Sequence, residues 1–126
     1  VEAFGGLLGA AFGLVQLSIF MAFTRSSFLN GGLERNSLVG IKTKVTKSSD
    51  RAWDAGHRAA LPWLSVAARV GYAVALLTVV VAVVQLVTGV GQDIFLAVPG
   101  AGYVACVVIL LIGTRKANEA GRNAVE

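Results

Sequence analysis

The chain has 126 residues, 56% of them apolar and only 14% charged, with a mean hydropathy of +0.73. Soluble domains of this size carry about a quarter charged residues, so this composition excludes an ordinary water-exposed domain. The net charge of +4 gathers beside apolar runs, which points to lipid headgroups rather than nucleic acid, and the lone Cys106 excludes a disulfide framework or a cysteine zinc cluster.

Residues 3–24 contain no Asp, Glu, Lys or Arg and match the length of about 20 residues that a helix needs to cross the hydrocarbon core. The run has no basic n-region and is long for an h-region, so it reads as a span rather than a cleaved leader. Gly5, Gly9 and Gly13 recur every four residues and place three positions without side chains on one stripe. Such a stripe lets another backbone approach closely. Packing inside the chain is the favoured use, and association with another copy is the alternative. Gln16 lies close to the same stripe, where its amide could bond across the interface, with Gln85 a candidate partner.

A polar loop, residues 25–69, follows the first span. Leu29, Asn30, Gly31 and Gly32 form a breaker. In Gly40–Lys47, Ile41, Thr43 and Val45 alternate with Lys42 and Lys44, which predicts an extended stretch over the headgroups. The period changes after Ser48. Ser48 or Ser49 can cap a helix over about 49–61, with Asp50 complementing its dipole. On that helix Trp53, Gly56, His57, Ala60 and Leu61 share one face, and Arg51, Asp54 and Arg58 share another. It is expected to be a short amphipathic helix at the membrane interface, ended by Pro62.

His57 is the one residue of this loop that invites chemistry. Asp50 and Asp54 precede it at helical spacing, but one imidazole flanked by carboxylates that have Arg51 and Arg58 as neighbours is a poor metal set. A structural role beneath Trp53 is favoured, and a pH response remains an alternative. No nucleophile–base pair and no Walker-type phosphate loop occurs. Neither catalysis, nor a bound metal, nor any other cofactor is expected.

The second span covers residues 70–92, with Trp63 and Tyr72 as interfacial aromatics and Arg69 reaching the phosphates. A tight turn at Asp93 leads to the third span, 94–114, in which Pro99 and Gly100 mark either a helix start or a bend. A helix from near Ile94 with a bend is favoured. Residues 115–126 form a basic tail. The runs lack the period-2 pattern of a barrel, so the fold class is all-α, an integral membrane protein with three transmembrane helices in one domain. Eight basic residues in the loop and three in the tail set these segments on the cytoplasmic side and the N-terminus outside. Lys42, Lys44, Lys47, Arg51 and Arg69 then meet anionic headgroups.

Arg35-Asn36, Gly40-Ile41-Lys42-Thr43, Thr46, Ser49, Trp53 and His57-Arg58, placed after one span and before two more, resemble the motif of the SdpI family. Lys42 stands where that pattern usually has Arg, which keeps the charge but loses the planar fork. The resemblance implies a small multipass protein of the cell membrane that protects against, or senses, a membrane-active peptide. The competing expectation is an accessory subunit of a larger membrane complex, and self-association fits either. Within the motif, Asn36 and Thr43 are expected to bond the loop backbone and Gly40 to permit its turn. Lys42, Lys44 and Arg58 are expected to meet phosphate or an acidic partner.

Overall fold

A computed structural model describes residues 2–31, 33–35, 37, 39–89 and 93–124. Gly32, Asn36 and the turn residues 90–92, to which the sequence assigned roles, lie outside the described residues. Three long helices carry the fold: α1 (Glu2–Leu29), α2 (Asp50–Thr88) and α3 (Ala97–Asn123). No strand occurs among the described residues. All three helices are long and apolar enough to cross a membrane. The outward faces are as greasy as the core, with Phe12, Leu76, Val87, Val104 and Leu111 all more than 60% exposed. Lipid is the solvent that makes this surface stable. This is a three-span membrane protein.

The central helix, α2, packs against both others. On α1 the inward face is Leu7, Ala11, Leu14, Ser18, Met21 and Thr24, all buried, spaced three or four residues apart as a packed helical face requires. The glycine stripe points elsewhere. Among the described residues a Cβ at Gly5 or Gly9 would meet nothing within 4 Å, and of the three only Gly13 has a neighbour, the Tyr103 hydroxyl. Gln16 is exposed while Gln85 is buried with its Oε1 unpartnered, so the expected amide bridge does not form. The favoured internal use of the stripe is thus overturned for Gly5 and Gly9. Leu7, Leu14 and Met21 bury more apolar area than a glycine edge could, and they win the interior.

Other small-residue contacts lie between α2 and α3, and one, Gly71 against Ser18, between α2 and α1. A Cβ at Gly56 would sit 3.0 Å from the Ala117 carbonyl oxygen, one at Gly102 would overlap Val74, and one at Gly113 would sit 3.0 Å from the Trp63 Cβ. Gly113, Ala117 and Gly121, all buried, form a second four-residue repeat.

Three expected boundaries move. Pro62 does not end a separate loop helix, since α2 runs through it for 39 residues. The proline ring is exposed, and the turns on either side are clamped by Gly56 against Ala117 and Trp63 against Gly113. Loss of one N–H is therefore tolerated without a break. Residues 115–123, expected as a tail, continue α3 to Asn123. That helix begins at Ala97 after a 3-10 turn, Asp93–Leu96, not near Ile94. Pro99 therefore occupies the first turn, where a missing N–H costs nothing.

A helix of 39 residues rises about 58 Å, nearly twice the ~30 Å hydrocarbon core. The first charges met on leaving the apolar bundle are Arg25 on α1 and Arg115 on α3. Arg25 shares a surface depression with Ser65, Arg69 and Tyr72 of α2. The charged end of the apolar bundle therefore crosses α2 near residues 63–69, and residues 50–62 extend beyond it.

Candidate functional site

The residues 40–57 form a folded block on the protruding end of α2. Ser49 starts the helix with an extended backbone (φ −162°, ψ 165°), and its side chain accepts from the Ala52 N–H at 3.0 Å. Asp50 sits in the first turn, as the dipole favours. The expected division of faces holds: Trp53, Gly56, His57 and Ala60 are buried and Arg51, Asp54 and Arg58 exposed, with Leu61 half-buried.

Ahead of that helix residues 41–43 have no regular secondary structure, and the chain then turns into a single 3-10 turn, Thr46–Ser48. Two threonines take the place of the predicted extended stretch. The Thr46 hydroxyl accepts from the Thr43 N–H at 3.0 Å and donates to the Ile41 carbonyl at 2.6 Å. The Thr43 hydroxyl accepts from the Thr46 N–H at 3.1 Å and donates to Asn118 Oδ1 on α3 at 2.6 Å. The pair closes the turn on itself and ties it to α3. Side-chain bonds of this kind compete successfully with strand geometry where no partner strand is at hand.

His57 is the pivot of the block. It is 1% exposed, and its Nε2 accepts from the Ile41 N–H at 2.9 Å. Nε2 must therefore be the bare nitrogen, so Nδ1 carries the proton and donates to the Trp53 carbonyl at 2.9 Å. The ring lies 4.1 Å from the Trp53 ring and stacks on Phe28 of α1 at 5.7 Å. Burial pushes its pKa below the ordinary value, opposed in part by the Trp53 carbonyl and by Asp54. With both nitrogens engaged, the imidazole has no lone pair to give a metal or a substrate proton.

Trp53 reaches across the block, its Nε1–H donating to the Leu33 carbonyl at 3.2 Å. Gly40 fits under it with φ +125°, and a Cβ there would come within 2.9 Å of Trp53 and 3.0 Å of His57 Nε2. Backbone conformation and space both demand glycine at this point.

The charged residues ring this core. Arg35 pairs with Asp50 at 3.3 Å and Arg58 with Asp54 at 2.9 Å, the latter guanidinium lying 5.5 Å above the Phe28 ring. Arg58 thus already has an acidic partner within its own helix, while Lys42, Lys44, Lys47, Arg51 and Arg69 are exposed. The structure brings together Gly40, Thr43, Thr46, Ser49, Trp53 and His57 and leaves the lysines outside. Sequence reasoning did not find Phe28, Leu33, Ala117, Asn118 and Gly121, each of which closes the block. For Ala117 and Gly121 a signal existed, the Gly113-Ala117-Gly121 repeat; Asn118 carried none.

Six of the motif residues, Gly40, Thr43, Thr46, Ser49, Trp53 and His57, converge on one block, and the SdpI/YfhL protein family matches residues 32–114, which contain all of that motif. The chain belongs to the SdpI/YfhL family. At family level this makes it an immunity-like membrane protein. No curated protein and no solved structure matches the chain. The parts of the SdpI/YfhL match that are visible here run from Leu33, under Trp53, to Thr114, where α3 leaves the apolar bundle.

Proposed function

We propose that this protein protects the cell membrane against, or senses, a membrane-active peptide, without catalysis of its own. The observation that carries this reading is the family match across the motif block. The chemistry of the block supports the non-catalytic part, since both ring nitrogens of His57 hold the backbone in place. In this reading the block and the C-terminal end of α3 face the cytoplasm and the N-terminus lies outside, because the basic residues collect at the block's end of the bundle. Anionic headgroups are its immediate partners there. Deletion of the gene should raise sensitivity to at least one membrane-active peptide, and complementation should restore survival. Unchanged sensitivity across a broad panel of such peptides would falsify the proposal.

A second reading, an accessory subunit of a larger membrane complex, is favoured by one observation. Gly5 and Gly9 present an edge that the chain's own helices do not use, and such edges serve helix–helix contacts in membranes. Mild detergent extraction followed by mass spectrometry separates the readings. A constant large partner at fixed stoichiometry supports the subunit, and recovery of the protein without one rejects it.

A further inference from the structure

Helices α1 and α3 are tied together in the half of the bundle away from the block, where the Tyr103 hydroxyl donates to the Ala10 carbonyl at 2.9 Å. Toward the block they part. A crevice of about 300 Å³ opens between them, walled by Leu17, Phe20 and Met21 of α1 and Leu110 of α3 and floored by Leu64 of α2. Phe20 is half exposed, so the crevice opens sideways toward lipid. Its volume lies at the lower end of the range of small-molecule sites.

The block end of this crevice is polar. Lys42 and Thr114 line it there, and neither the Lys42 ammonium nor the Thr114 hydroxyl has a partner among the described residues. Thr24, also lining it, is satisfied by the Phe20 carbonyl at 2.9 Å. Arg25 and Arg115 follow Thr24 and Thr114 directly in the chain, so the polar end lies where the headgroups begin. An apolar slot below that level, with a free cation and a free hydroxyl at it, matches an amphiphile with one chain and an anionic head.

We propose that the crevice binds an anionic phospholipid, with one acyl chain between α1 and α3 and its phosphate on the Lys42 ammonium and the Thr114 hydroxyl. The charge of Lys42 selects the acidic head, and the aliphatic walls hold the chain. The site stands independently of any role in peptide protection.

The test is native mass spectrometry of the purified full chain with phosphatidylglycerol, phosphatidylcholine or diacylglycerol of matched acyl chains. Phosphatidylglycerol should bind one to one and be retained about tenfold better than the other two. Lys42→Gln should lower that retention about fivefold, whereas Lys44→Gln removes the same charge outside the crevice and should leave it unchanged. Leu110→Trp should fill the slot and abolish retention; if that variant does not fold, the two lysine variants decide alone. Equal retention of the three lipids would overturn the proposal, as would equal losses in the two lysine variants. A lipid-free dimer would assign the crevice to a second copy and overturn it as well.

Discussion

Replacing His57 by Phe removes one hydrogen-bond acceptor and keeps a ring. In the folded block that acceptor serves the Ile41 N–H at 2.9 Å, beneath a ring that is 1% exposed. Phe retains the contacts to Trp53 and Phe28, so the loss reduces mainly to a buried N–H without a partner, a cost of about 1–3 kcal/mol. His57→Ala forfeits the ring contacts too and leaves a cavity, for a total of about 3–5 kcal/mol. Equilibrium unfolding in mixed micelles, titrated with SDS at pH 7.5, measures both. The pH dependence makes the test sharper. Burial holds the folded-state pKa of His57 below its ordinary value of 6.5. As the pH falls below 6.5, the unfolded chain takes up a proton that the folded chain refuses, so the stability present above 6.5 is lost progressively toward the lower folded pKa. The Phe variant has no such proton to bind, and its deficit relative to the wild-type protein should narrow between pH 7.5 and 5.5. A variant as stable as the wild type at pH 7.5, or a deficit that stays constant down to pH 5.5, would refute the assignment of Nε2 as the buried acceptor.

Gly40→Ala should cost about 1–3 kcal/mol from its positive φ alone, read by the same titration; a neutral result would mean that the turn relaxes without loss. Gly56→Ala sets two effects against each other. Helix propensity favours Ala by about 1 kcal/mol, but the new Cβ would meet the Ala117 carbonyl oxygen and the Thr46 methyl at 3.0 Å, and overpacking of about 1–3 kcal/mol should win; a more stable variant would show that α3 yields. Thr46→Val keeps the shape and strands the Thr43 N–H, for a loss of about 1–3 kcal/mol visible as faster hydrogen exchange at Thr43. Gly9→Leu should leave the unfolding free energy of the monomer within about 0.5 kcal/mol of the wild type, and a larger drop would mean that this edge packs within the chain.

Much of the architecture is legible in the sequence because it depends on local chemistry. Charge-free runs of bilayer length mark the spans, Ser49 before Asp50 marks a helix start, and the spacing of Trp53, Gly56 and His57 marks a buried face. What is not legible depends on what lies opposite. Gly5-Gly9-Gly13 and Gly113-Ala117-Gly121 are the same pattern, yet only the second is packed throughout, because the first competes on its own helix with a stripe of larger apolar residues. Pro62 would end an isolated helix, but Ala117 and Gly113 hold the turns around it. Thr43 and Thr46 sit in a β-like alternation that would suit a strand, and the Asn118 side chain 75 residues away helps turn it into a closed loop.

The absence of a break at Pro62 makes α2 a single lever. Over its length of about 58 Å, a tilt of about 10° carries one end roughly 10 Å sideways. Helix tilt follows bilayer thickness, so thinning or thickening of the membrane displaces Trp53 and His57 as one piece with the buried half of the helix, with no joint between them to absorb the movement.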